Sequence, residues 1–164
     1  GGYSLKQSII EVAKRDTLKN HMFMLIGGDG RPGIQQISGN VLSVPPSWDL
    51  SAHFSLADYA VTRCGASTLS ELICYDVPGV LVPWEDAADG HQLMNAKLFL
   101  HLGKGKIWRE NESIDLLEDM LLEVSNLQRI LNYDKCDAKR NEICVRFWDA
   151  MSFSMKGEGP IGRV

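Results

Sequence analysis

The sequence predicts an α/β fold: a doubly wound, Rossmann-like parallel sheet with helices on both faces. Short apolar runs bounded by Gly, Pro or Asp alternate with longer stretches of helical periodicity. Because these runs are apolar on both faces, they indicate strands buried between helices. The length of 164 residues and the apolar fraction of 45% suit one such domain or half of a two-domain enzyme.

The predicted elements alternate along the chain. Strands are predicted over residues 22–26, 41–44, 59–62, 79–83 and 105–108, and helices over 5–19, 50–57, 68–75 and 92–102. A fifth, acidic helix follows the predicted N-cap Ser113, because Ile114, Leu117, Leu121 and Val124 recur at helical spacing. A C-terminal helical extension is predicted for 126–155, with a helix over 138–152, and a mobile, glycine-rich tail for 156–164.

The start of the chain does not fit a complete doubly wound domain. Such a domain opens with a strand that lies in the middle of the sheet, whereas this sequence opens on Gly1-Gly2 and enters a helix. We therefore expect the first strand to be missing. The strands on either side of its place are then expected to have unpaired backbone edges.

Composition excludes several classes of function. The net charge of -4 does not suit a dedicated nucleic-acid-binding protein, which normally has a basic surface. No apolar run approaches the roughly 20 residues of a membrane-spanning helix, and no basic-then-apolar leader is visible, so a cytoplasmic chain is expected. In that compartment Cys64, Cys74, Cys136 and Cys144 are expected to be reduced thiols.

The segment from Ala57 to Glu71 combines the end of a strand, a turn of small residues and the start of a helix. Free N–H groups at a helix start favour a diphosphate, and Gly65 allows a ligand to approach the backbone closely. The alternative is purely structural. Thr68 would cap the helix, and Glu71, three residues later, would complete a capping box.

A second polar segment, residues 82–96, also follows the carboxyl end of a predicted strand, where ligands bind in open α/β sheets. It contains Glu85, Asp86, Asp89, His91, Gln92 and Asn95. A solvated loop explains the acids better than a metal site, and a hydrogen-bonding histidine at a helix start explains His91 better than a general base.

These two segments carry a family resemblance. Ala57-Asp58, the run from Arg63 to Leu72, Val77-Pro78, Val82-Pro83, and Asp89-Gly90-His91-Gln92 with Asn95-Ala96 resemble the C-terminal domain of the MurG-type glycosyltransferases. The likeness covers roughly residues 1–125, which are therefore predicted to be the nucleotide-sugar-binding domain. It implies the GT-B fold, with two Rossmann-like domains, and the donor UDP-N-acetylglucosamine. The second segment is also similar to the smaller subunit of the eukaryotic dolichol-linked N-acetylglucosaminyltransferase, where this domain is a separate chain.

The resemblance implies a set of substrate-binding residues. In this sequence they are Gly2, Ser4, Val44, Arg63, Gly65, Ala66, Ser67, Thr68, Glu71, His91, Gln92 and Asn95. The glycine turn at Gly2 would face the diphosphate, Glu71 would accept both ribose hydroxyls, and the loop that begins at Val44 would contact the uracil. His91 and Gln92 would contact the sugar hydroxyls. No catalytic base is identified, and neither a metal nor another cofactor is expected.

Three functions remain open. The first is the donor-binding half of an inverting transferase of peptidoglycan synthesis, which acts on a lipid-linked acceptor held by a missing N-terminal domain or a partner chain. Such an enzyme would work at the inner face of a membrane. The second is a non-catalytic nucleotide-sugar-binding subunit that needs a membrane-bound partner half. The third is another GT-B reaction, such as epimerisation or hydrolysis of a UDP-sugar.

Overall fold

The structure, a computed structural model, describes residues 2–27, 32–84, 90–102 and 104–127. The helices are α1 (Gly2–Val12), α2 (Ser51–Leu56), α3 (Ala66–Cys74), α4 (His91–Leu102) and α5 (Ile114–Ser125), and the strands are β1 (Phe23–Ile26), β2 (Gln35–Ser38), β3 (Val41–Val44), β4 (Ala60–Thr62), β5 (Gly79–Leu81) and β6 (Gly105–Ile107). The predicted helix over 138–152 and the tail over 156–164 lie outside the described residues, as does nearly all of the extension.

The strands form two three-stranded sheets. One has the order β1-β3-β2, and the other, entirely parallel, has the order β4-β5-β6. The first pairs β1 with β3 in parallel and β2 with β3 antiparallel. The α/β class with parallel pairing and flanking helices is therefore confirmed. The expectation of parallel pairing throughout is wrong at β2, which pairs antiparallel to β3. This strand was not predicted, because its residues are mostly polar and do not form an apolar run.

Two apolar clusters lie on opposite faces of these sheets. One joins α1 and α5 to β1 and β3, and includes Val80, Val82 and the fully buried Trp108. The other joins α2, α3 and α4, and includes Leu81. Because Val80 and Leu81 are neighbours in β5, the alternation of side chains along a strand puts helices on both faces of the sheet.

A cavity of about 980 Å³ lies between β1 and β4 and is called the central groove below. Residues 20–26 line one side of it and residues 57–63 the other. Each of these strands is the last in its sheet, so each has one edge that pairs with no other described strand. Tyr59 spans the amino end of the groove, where its hydroxyl lies 3.0 Å from Nδ1 of His21.

Two local expectations are corrected and a third is confirmed. The first helix ends at Val12 rather than continuing to residue 19, and a short 3₁₀ helix, Asp16–Leu18, follows it. Cys74 is disulfide-bonded, so the expectation of four reduced thiols is wrong. Cys64 is a free cysteine. The other two cysteines of the sequence, Cys136 and Cys144, lie outside the described residues. The predicted N-cap Ser113 is confirmed, since its Oγ accepts the N–H of Leu116 at 3.2 Å.

Candidate functional site

The junction between β4 and α3 forms the centre of the candidate site. Gly65 is the N-cap of α3, its backbone is extended, and no side chain caps the helix. The capping box of Thr68 and Glu71 is therefore not formed, because both residues lie inside the helix. A Cβ added at Gly65 would meet no atom within 4 Å. The glycine thus adjoins open space into which a ligand can fit.

Glu71 lies one helical turn beyond Ser67 on the same face of α3, because residues four apart are neighbours on a helix surface. Its side chain is half-buried. Among the residues that the structure describes, its carboxylate makes no hydrogen bond and no ion pair. The opposite face of α3 packs into the core through Leu69 and Leu72. A partly desolvated acid without a structural partner is available to accept hydrogen bonds from a ligand.

Two amides at the start of α4 tie this helix to the ends of two strands, and we call them the amide clamp. Oε1 of Gln92 accepts the backbone N–H groups of Cys64, at 3.3 Å, and of Trp84, at 2.9 Å. Nδ2 of Asn95 donates to the carbonyl of Cys64 at 2.9 Å. Because two N–H donors need an acceptor, they fix the orientation of the Gln92 amide and leave its NH₂ group as the donor.

A second set of contacts, which we call the Glu110 network, joins the start of α1 to the residues that follow β4 and β6. Oε2 of Glu110 lies 2.6 Å from the guanidinium of Arg63, with both side chains mostly buried. The hydroxyl of Ser4 donates to Oε1 of Glu110 at 2.5 Å. Partial burial alone would raise the pKa of Glu110, but the hydrogen bonds from Arg63 and Ser4 lower it below its usual value. Glu110 is therefore held as a carboxylate.

The other predicted residues occupy less direct positions. Gly2 is the first residue of α1 rather than part of a turn, and Val44 is a buried core residue whose carbonyl accepts the N–H of Gly27 at 3.1 Å. His91 is the exposed first residue of α4. Burial raises the pKa of the Cys64 thiol to about 12, so this buried cysteine is not a ready nucleophile.

The structure thus brings Gly65, Gln92 and Asn95 together around Cys64, and places Arg63 and Ser4 together around Glu110. Residues Glu85, Asp86 and Asp89 lie outside the described part of the chain. Within the described ranges, no three His, Cys, Asp or Glu side chains are grouped so that they could hold a metal ion. Sequence reasoning missed Glu110, because this residue lies outside both polar segments and outside the motifs of the family resemblance.

Comparison with known proteins defines the class of this chain. Residues 2–143 match the glycosyltransferase family 28 C-terminal domain, and the chain belongs to this family. A UDP-N-acetylglucosamine--N-acetylmuramyl-(pentapeptide) pyrophosphoryl-undecaprenol N-acetylglucosamine transferase of Thermosipho africanus is 37% identical over 113 residues, 68% of this chain and 33% of that protein. The transferase of the same name from Aquifex aeolicus is 41% identical over 88 residues, 52% of this chain and 26% of that protein. The chain therefore spans about a third of the length of these relatives.

Two solved structures share the fold. The glycotransferase of kitacinnamycin has a TM-score of 0.60 at 20% identity and covers 93% of this chain and 37% of its own. The MurG of Acinetobacter baumannii has a TM-score of 0.50 at 20% identity and covers 87% of this chain and 48% of its own. The predicted fold class and the family resemblance are confirmed. No helix within the described residues is both long and apolar enough to span a membrane.

Proposed function

We propose that this chain binds UDP-N-acetylglucosamine as the donor half of an inverting N-acetylglucosaminyltransferase. A second Rossmann-like half holds the lipid-linked acceptor and supplies the base that deprotonates its hydroxyl. Membership of the family supports this proposal, as do the transferase activities for which the relatives are named. The reaction would take place at the inner, cytoplasmic face of a membrane, where such an acceptor is accessible.

The carboxylate of Glu71 is the observation that carries the proposal. It is half-buried and without a partner in the described structure, on the helix that begins at Gly65. A carboxylate has two oxygens that accept hydrogen bonds, and a ribose presents two adjacent hydroxyl donors. A bound ribose would therefore satisfy both oxygens of this carboxylate.

The starts of three helices would supply hydrogen-bond donors to the diphosphate. Both α3 and α4 begin after the carboxyl ends of their strands, and the contact between Ser4 and Glu110 puts the start of α1 close to the end of β6. Unpaired N–H groups and the positive ends of helix dipoles stabilise negative charge. They would therefore favour the departure of UDP, whose negative charge grows as the bond to the sugar breaks.

The amide clamp is the proposed floor of the sugar site. Its two bonds to Gln92 leave the NH₂ group of that residue to donate to a sugar hydroxyl, and His91 precedes it at the exposed start of α4. We expect these residues to determine which hexose is bound. They do so from a helix whose position the clamp fixes.

Calorimetric titration of the 164-residue chain with UDP, UDP-N-acetylglucosamine and UDP-glucose tests the proposal. We expect Glu71→Ala to weaken UDP binding by about 1–3 kcal/mol, the cost of losing charge-assisted hydrogen bonds, which is about 5- to 150-fold in affinity. The matched control is Asp119→Ala, which removes the same charge from the exposed face of α5. The control is expected to bind UDP as the wild type does.

A UDP analogue without ribose hydroxyls separates a ribose contact from a general charge effect. Its binding is expected to be nearly insensitive to Glu71→Ala. Equal UDP binding by Glu71→Ala and the wild type would remove the assigned role of this carboxylate. In a transfer assay with lipid acceptor, turnover of the chain alone at about 1 per second or more would contradict the division into two halves.

A further inference from the structure

Three residues that are distant in sequence meet at the carboxyl edge of the parallel sheet. Ser4 comes from the first turn of α1, Arg63 follows β4, and Glu110 follows β6. Both Ser4 and Arg63 direct donors to the same carboxylate, at 2.5 Å and 2.6 Å. Arg63 also reaches the carbonyl of Val82 at 3.5 Å, which anchors its guanidinium beside the end of β5.

The chemistry of this carboxylate resembles that of a phosphate. Both are anions with several acceptor oxygens, and both bind guanidinium and hydroxyl donors in the same geometry. Ser4 and Arg63 are among the substrate-binding residues that the family resemblance implies, and Ser4 belongs to one of the helix starts that are proposed to receive the diphosphate. In the structure, both of them contact the carboxylate of Glu110.

The geometry points to Glu110 as an internal competitor of the diphosphate, a role that rests on the proposed function. A bound diphosphate would take over the donors of Ser4 and Arg63, and Glu110 would lose them or be displaced. Because Glu110 is held as a carboxylate, it also repels the incoming anion. It would therefore lower the affinity for free UDP and ease the release of this product.

The ion pair of Arg63 and Glu110 is partly exposed, as expected of a pair whose partners can separate when a ligand binds. The side chains of Arg63 and Glu110 are 22% and 27% exposed, so water can reach both partners when they separate. Ion pairs that are partly solvated contribute little net stability, so breaking this one costs little. The anchor at Val82 keeps Arg63 near the strand ends while its partner changes.

The test is the substitution Glu110→Gln in the 164-residue chain, with UDP and uridine titrated by calorimetry at low and high salt. Removal of the competing charge is expected to tighten UDP binding by about three- to tenfold at low salt, and by less at high salt because ions screen the charge. Uridine, which has no phosphate, is expected to bind equally well to both proteins.

The matched control is Glu112→Gln, which removes the same charge two residues away. Glu112 accepts the backbone N–H of Arg109 at 2.7 Å, and a glutamine oxygen can keep that bond, so this variant is expected to bind UDP as the wild type does. Unchanged or weaker UDP binding by Glu110→Gln would overturn the inference but leave the proposed function standing. Tighter binding of uridine as well would also overturn it. If the wild type binds neither UDP nor UDP-N-acetylglucosamine, both proposals fail.

Discussion

Two regions of the molecule, the amide clamp beside α3 and α4 and the central groove between β1 and β4, are held together in different ways. On the side of α3 and α4, β5 is paired on both edges, and the amide clamp connects the strand ends through neutral hydrogen bonds to the backbone. On the side of the central groove, β1 and β4 each have an edge that pairs with no strand in the described part of the chain. Arg63 of the Glu110 network lines this groove, and Tyr59 contacts His21 across it.

This difference separates residues that hold the fold from residues that respond to a ligand. Amide contacts to a buried backbone cannot be replaced by water without leaving a polar group unsatisfied, so they fix geometry. A partly exposed ion pair can exchange its partner for water or for another anion. The clamp side is therefore expected to be rigid, and the groove side is expected to change with its ligands.

Amide hydrogen exchange should show the largest contrast between the two sides. The N–H of Ala60 is bonded to the carbonyl of Pro78, and the carbonyl of Thr62 accepts the N–H of Val82. Because donors alternate in direction along a parallel strand, the N–H of Val61 faces the groove. We expect it to exchange about a hundredfold or more faster than that of Val80 in β5, since unpaired edges open with little free energy.

The same alternation supplies an internal control in β1. The N–H of Phe23 is bonded to the carbonyl of Asn40 at 2.8 Å, and that of Gly27 to the carbonyl of Val44 at 3.1 Å. The intervening N–H of Met24 therefore faces the groove and is expected to exchange faster than that of Phe23. Equal protection of Met24 and Phe23, measured by NMR, would show that the groove edge is covered in solution.

Stability measurements compare the clamp with the network directly. We expect Asn95→Leu to lower the free energy of unfolding by about 1–3 kcal/mol, because the buried carbonyl of Cys64 loses its donor. In Glu110→Gln, the loss is expected to be about 1 kcal/mol or less. Urea unfolding of the two variants and the wild type measures both. A greater loss in Glu110→Gln than in Asn95→Leu would reverse the assignment of the two sides.

Most of the fold followed from the sequence, because buried parallel strands leave a strong apolar signal. All five predicted strands formed, with their ends shifted by a few residues at most. The antiparallel strand β2 was missed because its residues are polar and half its positions are exposed.

The candidate site was less predictable from the sequence. Gly65 and Glu71, at the start of α3 and within it, stand in a recognisable local pattern, but Glu110 lies 47 residues after Arg63 and belongs to no motif. Its role depends on the close approach of β4 and β6 ends across β5, which no local pattern encodes. The binding roles of the other residues stay predictions until a ligand is titrated.

Glycine substitutions separate binding from folding at the two strand ends. We expect Gly65→Ala to weaken UDP binding about tenfold or more, because the methyl group would occupy space that the diphosphate needs and cost a charge-assisted hydrogen bond. Its thermal stability should stay close to that of the wild type, since a Cβ meets no atom within 4 Å. Gly105→Ala is the contrasting variant, because its Cβ would lie 2.3 Å from the carbonyl oxygen of Gly79 and should destabilise the fold. Normal UDP binding by Gly65→Ala would place the ligand elsewhere.

The smallest expected effect is the contribution of the Glu110 network to stability as a function of pH. Burial opposes ionisation of Glu110, but the hydrogen bonds from Arg63 and Ser4 outweigh it and lower its pKa in the folded protein. A lowered pKa means that the folded state binds this proton less readily than the unfolded state. The network therefore stabilises the fold fully above the ordinary glutamate pKa of about 4.3, and this stabilisation is lost as the pH falls through the lower, folded value.

Because the pair is partly exposed, we expect this contribution to be at most about 1 kcal/mol. Urea unfolding of the wild type and Glu110→Gln, from pH 7 down to pH 3, measures it as the difference between the two curves, which should shrink towards zero at the acid end. The control is the same substitution made in an Arg63→Gln background, where the main partner is gone and most of the pH-dependent difference should vanish. An undiminished difference in that background would mean that Arg63 does not hold Glu110 in its ionised form, and the competition between this carboxylate and a diphosphate would lose its electrostatic basis.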